Sequence, residues 1–509
     1  MRITFVQGPY ESLAVEYLAS ILKQKGHRIS LVIDPQLFNT VYFKNGLLGK
    51  FFDLRPWVIK AVIASKPGLV AFSVFTSEYQ WALDLARGIK QQNPALPIVF
   101  GGFHPTSVPE VVIKQKSVDI ICIGEGEQAF VELVKSLSGK RSNYRIKNLW
   151  FKKDGRVIKN EIRPLLEDLD QLPFPDKDLF FSQLPFLSKY YLMMATRGCP
   201  YRCTYCGNHV KAKIYRGKGK YLRIRSVANV IQELVKAKRK YPRLKMISIP
   251  DDILPLNKPW LREFIKQYRR KIKLPFLCYT HPRYIDEEIA RLLKEGGCFW
   301  LNMGLQTASE KNRLTLLHRV ETNDEVREAV RCCHQVKLKF SLDHIFGIPF
   351  EGEKEYVEGL KFYNELRPSW INVFWLVYFP KTEIIKLGKK AGYINAAVEK
   401  QINEGQISTC CTLQIGSDTQ DISRTQQGEF KNFALLYTLL PLIPRKLMAQ
   451  IIKKKWYRKI PDVSSGVFFL AKLVARLPIH QVYLYTSELT KTVWLAREVI
   501  RKKWLNKSN

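Results

Sequence analysis

Short apolar runs alternate with longer stretches whose apolar positions recur at helical spacing, and the alternation continues through most of the chain. Ile3-Thr4-Phe5-Val6 predicts a strand, a polar loop runs over 7–12, and a helix follows from Leu13 to about Lys25 with Leu18, Ile21 and Leu22 on one face. Gly26 suits a helix C-cap, and 29–33 reads as the next strand. Further buried-strand runs fall at 68–74, 96–102 and 120–123. Strands separated by helices predict an α/β unit over 1–145, a doubly wound, flavodoxin-like parallel sheet. Ligands of such sheets bind beyond the carboxyl ends of the strands. Polar and glycine-rich residues gather at those ends: Ser12, Ser73, Thr76, Gly101-Gly102-Phe103-His104-Pro105-Thr106 and Gly124-Glu125-Gly126-Glu127.

Segment 146–185, with Asp154-Gly155 and the cluster Leu172-Pro173-Phe174-Pro175, predicts an extended connector rather than packed secondary structure. From 186 to 385 the strand–helix rhythm returns. Apolar runs at 190–195, 245–249, 276–279, 299–303, 340–346 and 370–375 predict six βα units, a partial (βα)6 barrel. Polar residues again sit at the strand ends: Asp251-Asp252, Thr280-His281 with Arg283, Gly304-Leu305-Gln306-Thr307 and Asp343-His344. Segment 386–509 fits neither unit and reads as mainly helical.

Composition adds one unusual fact. Lys and Arg number 82 against 46 Asp and Glu, a formal charge of +36, which calls for an anionic partner. From 431 to 509 the balance is 16 basic to 3 acidic residues, interleaved with Leu, Ile and Trp. Such basic amphipathic stretches suit an anionic membrane surface, with Lys453, Lys454, Lys455, Arg458 and Lys459 on phosphates and Ile451, Ile452 and Trp456 toward the acyl boundary. A helical cap on the barrel explains the same pattern. Nucleic acid ranks third, because no RNA-binding module is recognisable. No apolar stretch approaches the roughly 20 residues that span a bilayer. No signal peptide precedes the first strand, so the expected setting is cytoplasmic, with peripheral association at the inner face of the membrane as an option.

Ten cysteines show no regular pairing, which argues against a disulfide framework. Three crowd one loop, Cys199-Pro-Tyr-Arg-Cys203-Thr-Tyr205-Cys206, spaced C-x3-C-x2-C. Thiolates are soft ligands suited to iron–sulfur clusters, and three of them leave one iron of a 4Fe-4S cube open to bind a small molecule. With His209 the same residues compose a Cys3His zinc set, although zinc sites usually close with a second pair far along the chain.

At Cys199, Cys203, Tyr205 and Cys206 the chain resembles the radical S-adenosylmethionine (SAM) superfamily. The Gly-Gly-x-His-Pro-Thr and Gly-Glu-Gly-Glu runs resemble the cobalamin-binding domain found ahead of many such barrels. The resemblance implies a 4Fe-4S cluster on the three cysteines and SAM chelated at the open iron, cleaved by one electron to methionine and a 5′-deoxyadenosyl radical. It implies cobalamin at Ser12, Ser73, Thr76, Gly101, Gly102, His104, Gly124 and Glu125. The D-x-H-x-x-G motif that supplies a histidine to cobalt is absent, so the implied state is base-off. For SAM it implies Tyr205, Asp251 and Asp252 where relatives carry Gly-Gly-Glu, Gln306 where Gly-x-Glu-Ser is usual, and Arg319. The implied activity is C-methylation of a small-molecule or lipid-like substrate, with an electron donor such as flavodoxin or ferredoxin. Radical cyclisation or rearrangement with the same cofactors, and a zinc-stapled nucleic-acid-binding protein, are the alternatives.

Overall fold

The structure, a computed structural model, describes residues 1–37, 49, 52–139, 143–254, 257–406 and 431–460. The first sheet contains β1 (Arg2–Gln7), β2 (Arg28–Ile33), β3 (Leu69–Ser73), β4 (Ile98–Gly101), β5 (Ile120–Cys122), β6 (Leu149–Lys153) and β7 (Arg156–Lys159), in the order β2-β1-β3-β4-β5-β6-β7. The first five in that order are parallel. Because side chains alternate across a strand, Leu69 and Ala71 enter one core layer with Ile3, Phe5 and Val99, while Val70 and Phe72 enter the other with Phe100 and Ile121. Helices Leu13–Gln24 and Glu127–Ser138 cover the first layer, and Tyr79–Gln92 helps cover the second. Gly26, at φ +80°, ends the first helix as expected.

The segment expected to be an extended connector departs from that expectation. β6 and β7 form a hairpin that pairs antiparallel with β5 and extends the sheet. Asp154 and Gly155, at φ +47° and +73°, make the two-residue turn whose twist matches a hairpin. The prolines that suggested a crossing segment lie beyond it, at 173 and 175.

The second sheet is the six-stranded parallel half-barrel, in order β15-β14-β13-β12-β11-β8. Its strands are β8 (Tyr190–Leu192), β11 (Met246–Ile249), β12 (Phe276–Thr280), β13 (Cys298–Gln306), β14 (Phe340–Phe346) and β15 (Trp370–Trp375). Leu277, Trp300 and Trp370, with Met246 and Phe299, plug the interior near the amino ends. Between β8 and β11 the chain forms a short ladder of β9 (Thr196–Arg197) with β10 (Arg223–Ile224), which flanks the cysteine loop.

Helices Lys431–Leu439 and Arg445–Lys453 pack on the barrel. Phe433, Tyr437, Leu440, Met448, Ile452 and Tyr457 join its main core. Arg367 donates to the carbonyls of Leu440, Pro441 and Ile443 at 3.0–3.2 Å. The helical-cap reading therefore holds for 431–460. Ile452, expected to face lipid, is instead buried in the barrel core, and Arg458 pairs with Glu353 at 2.7 Å. The basic run at 493–504 lies outside the described residues. Among the described residues no helix is long and apolar enough to cross a membrane.

Candidate active site

β9 delivers the chain to Gly198 at φ +89°, where a Cβ would sit 2.3 Å from the Tyr221 carbonyl oxygen, so a side chain there has no room. Cys199, Cys203 and Cys206 follow as free thiols, Cys203 buried and the other two half-buried. The loop is held from behind. Thr204 donates its N–H to Leu317 O (3.1 Å) and its hydroxyl to Leu316 O (2.7 Å), and Ile384 N–H donates to Thr204 O (2.9 Å). Burial pushes the Cys199 thiol up to about 12 and Cys206 up to about 11. Such thiols ionise only against a cation bound among them. Among the described residues no three His, Cys, Asp or Glu side chains converge to hold a metal ion, and His209 Nε2 faces Glu383 Oε1 at 3.0 Å. His209 is thus turned to a carboxylate and not to the thiols, which disfavours the Cys3His zinc set. A cubane takes each thiolate at a separate corner, which three soft ligands spread along one loop satisfy.

Behind the cysteines lies a buried charge network. Arg319, 6% exposed, reaches Gly304 O and donates its Nε–H to Glu321 at 2.7 Å, while Nη1 stands 3.5 Å from the Tyr205 hydroxyl. Glu321 Oε2 lies 3.0 Å from His281 Nε2, and the His281 ring stacks on Tyr201 of the cysteine loop at 4.4 Å. His281 Nδ1 accepts the Arg283 N–H, which leaves the proton on Nε2, toward Glu321. Burial works to raise the Glu321 carboxyl, but His281 and Arg319 outweigh it and hold it at about 2. Arg319 is therefore not a solvated helical arginine. Glu321 was missed because nothing local marks it, and the sequence pointed to His281 only as one of several polar strand ends; the fold sets both behind Tyr201.

The other barrel ends divide. Asp251 is enclosed and accepts the Ala195 N–H at 3.0 Å, which ties β11 to the stretch leading into the loop; burial raises it to about 7. Asp252, its neighbour, is exposed and lines a cavity together with Asn208 and Lys211. Gln306 ends β13 at φ +72°, beside a register shift between Gly304 and Gln306. Asp343, on β14 next to it, accepts from Asn372 at 2.8 Å, and burial raises it to about 6. The sequence pointed to Asp343 only as one of several polar strand ends.

That cavity, about 480 Å³, lies between the carboxyl ends of the two sheets. Ser12, Ser73, Gly101, Gly102, Gly124 and Glu125 line it from the first domain; Gly198, Asn208 and Asp252 line it from the second. It continues as an apolar well bounded by Phe5, Leu18, Ala71, Cys122 and Phe130. Gly101 and Gly126 keep the well open: a Cβ on either would come within 3.3–3.6 Å of Cys122. Thr76 and His104 do not reach it. His104 is wholly buried, its ring tilted against Tyr79 at 4.1 Å with Nδ1 3.2 Å from the Thr76 hydroxyl, and burial lowers it to about 3. No histidine lines the cavity among the described residues. A flat, largely apolar group entering from the strand ends fits this lining, and a histidine-ligated metal does not.

Glu125 also has a second role. Its carboxylate takes Arg223 at 2.5 and 3.0 Å, and Glu127 takes Arg197 at 2.7 Å. The Tyr215 hydroxyl accepts the Glu125 N–H at 2.6 Å, and a Cβ on Gly124 would collide with it. The loop after β5 is thus clamped to β9 and β10, immediately ahead of the cysteines.

The pattern of the Radical SAM superfamily matches residues 193–363, and that of the B12 binding domain matches 2–134. The chain is 27% identical over 392 residues to an uncharacterised methyltransferase of Pyrococcus horikoshii, covering 75% of this chain and 79% of that one. It is 23% identical over 404 residues to an anaerobic magnesium-protoporphyrin IX monomethyl ester cyclase of Rubrivivax gelatinosus, covering 75% and 68%. Its fold is similar to that of the cobalamin-dependent S-adenosylmethionine radical enzyme OxsB with aqua-cobalamin and SAM bound: TM-score 0.65, 16% identity, 100% of this chain and 81% of that one. It is also similar to the radical SAM methyltransferase TsrM of Kitasatospora setae with cobalamin and a [4Fe-4S] cluster bound: TM-score 0.61, 17% identity, 77% and 79%.

Proposed function

The chain belongs to the radical SAM superfamily and carries a B12 binding domain, and from that premise we propose that it transfers a methyl group to carbon of a small-molecule or lipid-like substrate. The observation that carries this reading is the shared cavity: the wall of the apolar well and the shoulders of the cysteine loop face the same space. Cys199, Cys203 and Cys206 would hold the 4Fe-4S cluster. Asp252 faces the cavity as a carboxylate able to take an ammonium group, while the amide of Gln306 and the carboxylate of Asp343, on neighbouring strands, suit a vicinal diol. Ser12, Ser73, Gly101, Gly102 and the apolar well would hold cobalamin, with no protein histidine beneath the metal. When bound, the cluster and SAM supply a carbon-centred radical and cobalamin supplies a methyl carrier. The protein's own part is to orient, to exclude water, and to keep Arg319 positive beside Cys203.

A basic chain of this kind suits an acidic one-electron donor, such as a flavodoxin or ferredoxin. A cytoplasmic setting, peripheral at the inner membrane face, belongs to the same reading. Cyclisation is the second reading, favoured by the cyclase among the relatives. Protein reconstituted anaerobically with iron, sulfide and cobalamin, then given SAM and a low-potential reductant, separates the two in the presence of substrate-bearing cell extract. Methyl transfer leaves S-adenosylhomocysteine and a product carrying the SAM methyl label. Cyclisation leaves 5′-deoxyadenosine with neither, and that outcome would overturn the methyl-transfer reading.

A further inference from the structure

Segment 431–460 carries eight Lys and Arg and no acidic residue. It is also firmly seated: Met448, Ile452 and Tyr457 are buried in the barrel core, and Arg445 donates to the carbonyls of Asn364 and Glu365 at 3.1 and 2.7 Å. Its inward face is therefore occupied. Its outer face is not polar throughout, as an ordinary cap's would be. Among the described residues ten large apolar side chains are exposed, and three of them, Leu442 (49%), Leu447 (42%) and Trp456 (38%), fall on this segment.

Leu442 stands exposed on the short turn just ahead of helix Arg445–Lys453, and helical spacing groups Leu447 with its neighbours. Leu447, half-buried Ile451 and Lys454 follow at i, i+4 and i+7 on one flank of helix Arg445–Lys453, beside the inward Met448 and Ile452. Lys454 Nζ then lies 5.0 Å from the centre of the Trp456 ring, which brings that ring to the same flank. Lys446, Lys453, Lys455 and Lys459 are exposed around it, and Glu353, the acidic partner the segment finds among the described residues, is taken up by Arg458 and Tyr457. Leucines, an indole and exposed lysines on an outward surface match the layered chemistry of a bilayer surface, apolar beneath and anionic above. A nucleic acid would use the lysines and the indole but offers nothing to two exposed leucines.

We propose that this face docks the protein on an anionic lipid bilayer, Leu442, Leu447 and Trp456 entering the acyl boundary and Lys446, Lys454, Lys455 and Lys459 meeting phosphates. This gives the peripheral-membrane reading a definite surface, and it does not depend on the chemistry at the cavity. The apolar contacts differ from those the sequence pattern favoured, because Ile452 is committed to the barrel.

The test is cosedimentation of the full-length, cluster-loaded protein with vesicles of phosphatidylcholine alone and of phosphatidylcholine with phosphatidylglycerol. The wild type should partition to the anionic vesicles and be released by salt, and Leu442→Ser/Leu447→Ser/Trp456→Ser should weaken partitioning by at least about tenfold. All three positions are exposed, so the variant should keep its cluster absorbance and melting temperature, which are checked on the same samples. Equal partitioning of variant and wild type, or no partitioning of either, overturns the proposal. So does retention on RNA without binding to anionic vesicles, which would assign the face to nucleic acid. Failure here with normal SAM cleavage would leave the enzymatic reading standing.

Discussion

The two sheets present their carboxyl ends to one cavity and furnish them differently. The first domain offers close backbone, small residues and an apolar well, with its one candidate histidine, His104, sealed inside. The barrel offers thiols, carboxylates and a guanidinium held by buried partners. On the proposed reading, one end would recognise by shape, the other by charge and ligation. A large cofactor that spreads its contacts over a wide face needs room and loses little when single polar contacts go. A cluster and a charged small molecule need particular atoms at particular places, and so the barrel end stores buried charge where the first domain stores empty space.

That contrast can be broken most sharply at the cysteines. Alanine at 199, 203 or 206 should abolish the brown 4Fe-4S absorbance and SAM cleavage, whereas Cys332→Ala, on a helix remote from the loop, should spare both. Normal iron content and turnover in Cys203→Ala would remove the basis for calling this end ligand-specific. The opposite end should respond to bulk. Gly101→Val should fill the well and lower cobalamin retention through gel filtration by at least about tenfold, while iron and sulfide loading stays normal. Unchanged retention would mean that the well is not the cobalamin site.

The clamp between the ends should show itself as coupling. Arg223 is buried, so Arg223→Ala should cost about 3 kcal/mol by taking away the bidentate partner of Glu125 and leaving it only Arg197 at 3.6 Å. Adding Glu125→Gln should recover part of that loss in a double-mutant cycle read by urea denaturation. Strict additivity would show that the pair carries no coupling. The smallest effect belongs to a parallel between the ends. In each sheet a buried carboxyl joins two strand-end loops: Glu78 takes the Tyr10 hydroxyl, and Glu351 takes Thr307 at 2.7 Å. Burial raises both from 4.5 to about 7. The fold thus holds the neutral acid, so the contribution is complete below 4.5 and is lost as pH rises through about 7. Glu351→Gln should therefore raise stability at pH 8 by on the order of 1–2 kcal/mol and change it little at pH 4. A gain of equal size at both pH values would show that ionisation is not the cause.

Much of this was legible in the sequence. Strand periodicity located the eleven parallel strands of the two large sheets but not the β6–β7 hairpin or the β9–β10 ladder, and three cysteines on one loop pointed to soft-metal chemistry without help from the fold. The failures share a cause. Asp154-Gly155 reads as a turn, but that its flanking residues pair with β5 depends on an edge some thirty residues earlier. Thr76 and His104 sit in a motif that reads as ligand-binding, and local pattern does not say which side of a loop points inward. Glu321 and His281 lie forty residues apart and meet only because β12 and β13 are neighbours. Glu125 lines the cavity, and its second role was hidden because its partner, Arg223, lies in another domain.

The clamp has a kinetic consequence. Glu125 and Glu127 on one side and Arg197 and Arg223 on the other span the mouth of the space where a corrin would lie, and Gly124 is pressed against Tyr215. If cobalamin is held there as proposed, parting the two domains to release it would break two ion pairs together. Its residence time would then be set by the opening rate of the protein more than by its own contacts, and it should exchange far more slowly than its affinity alone would dictate.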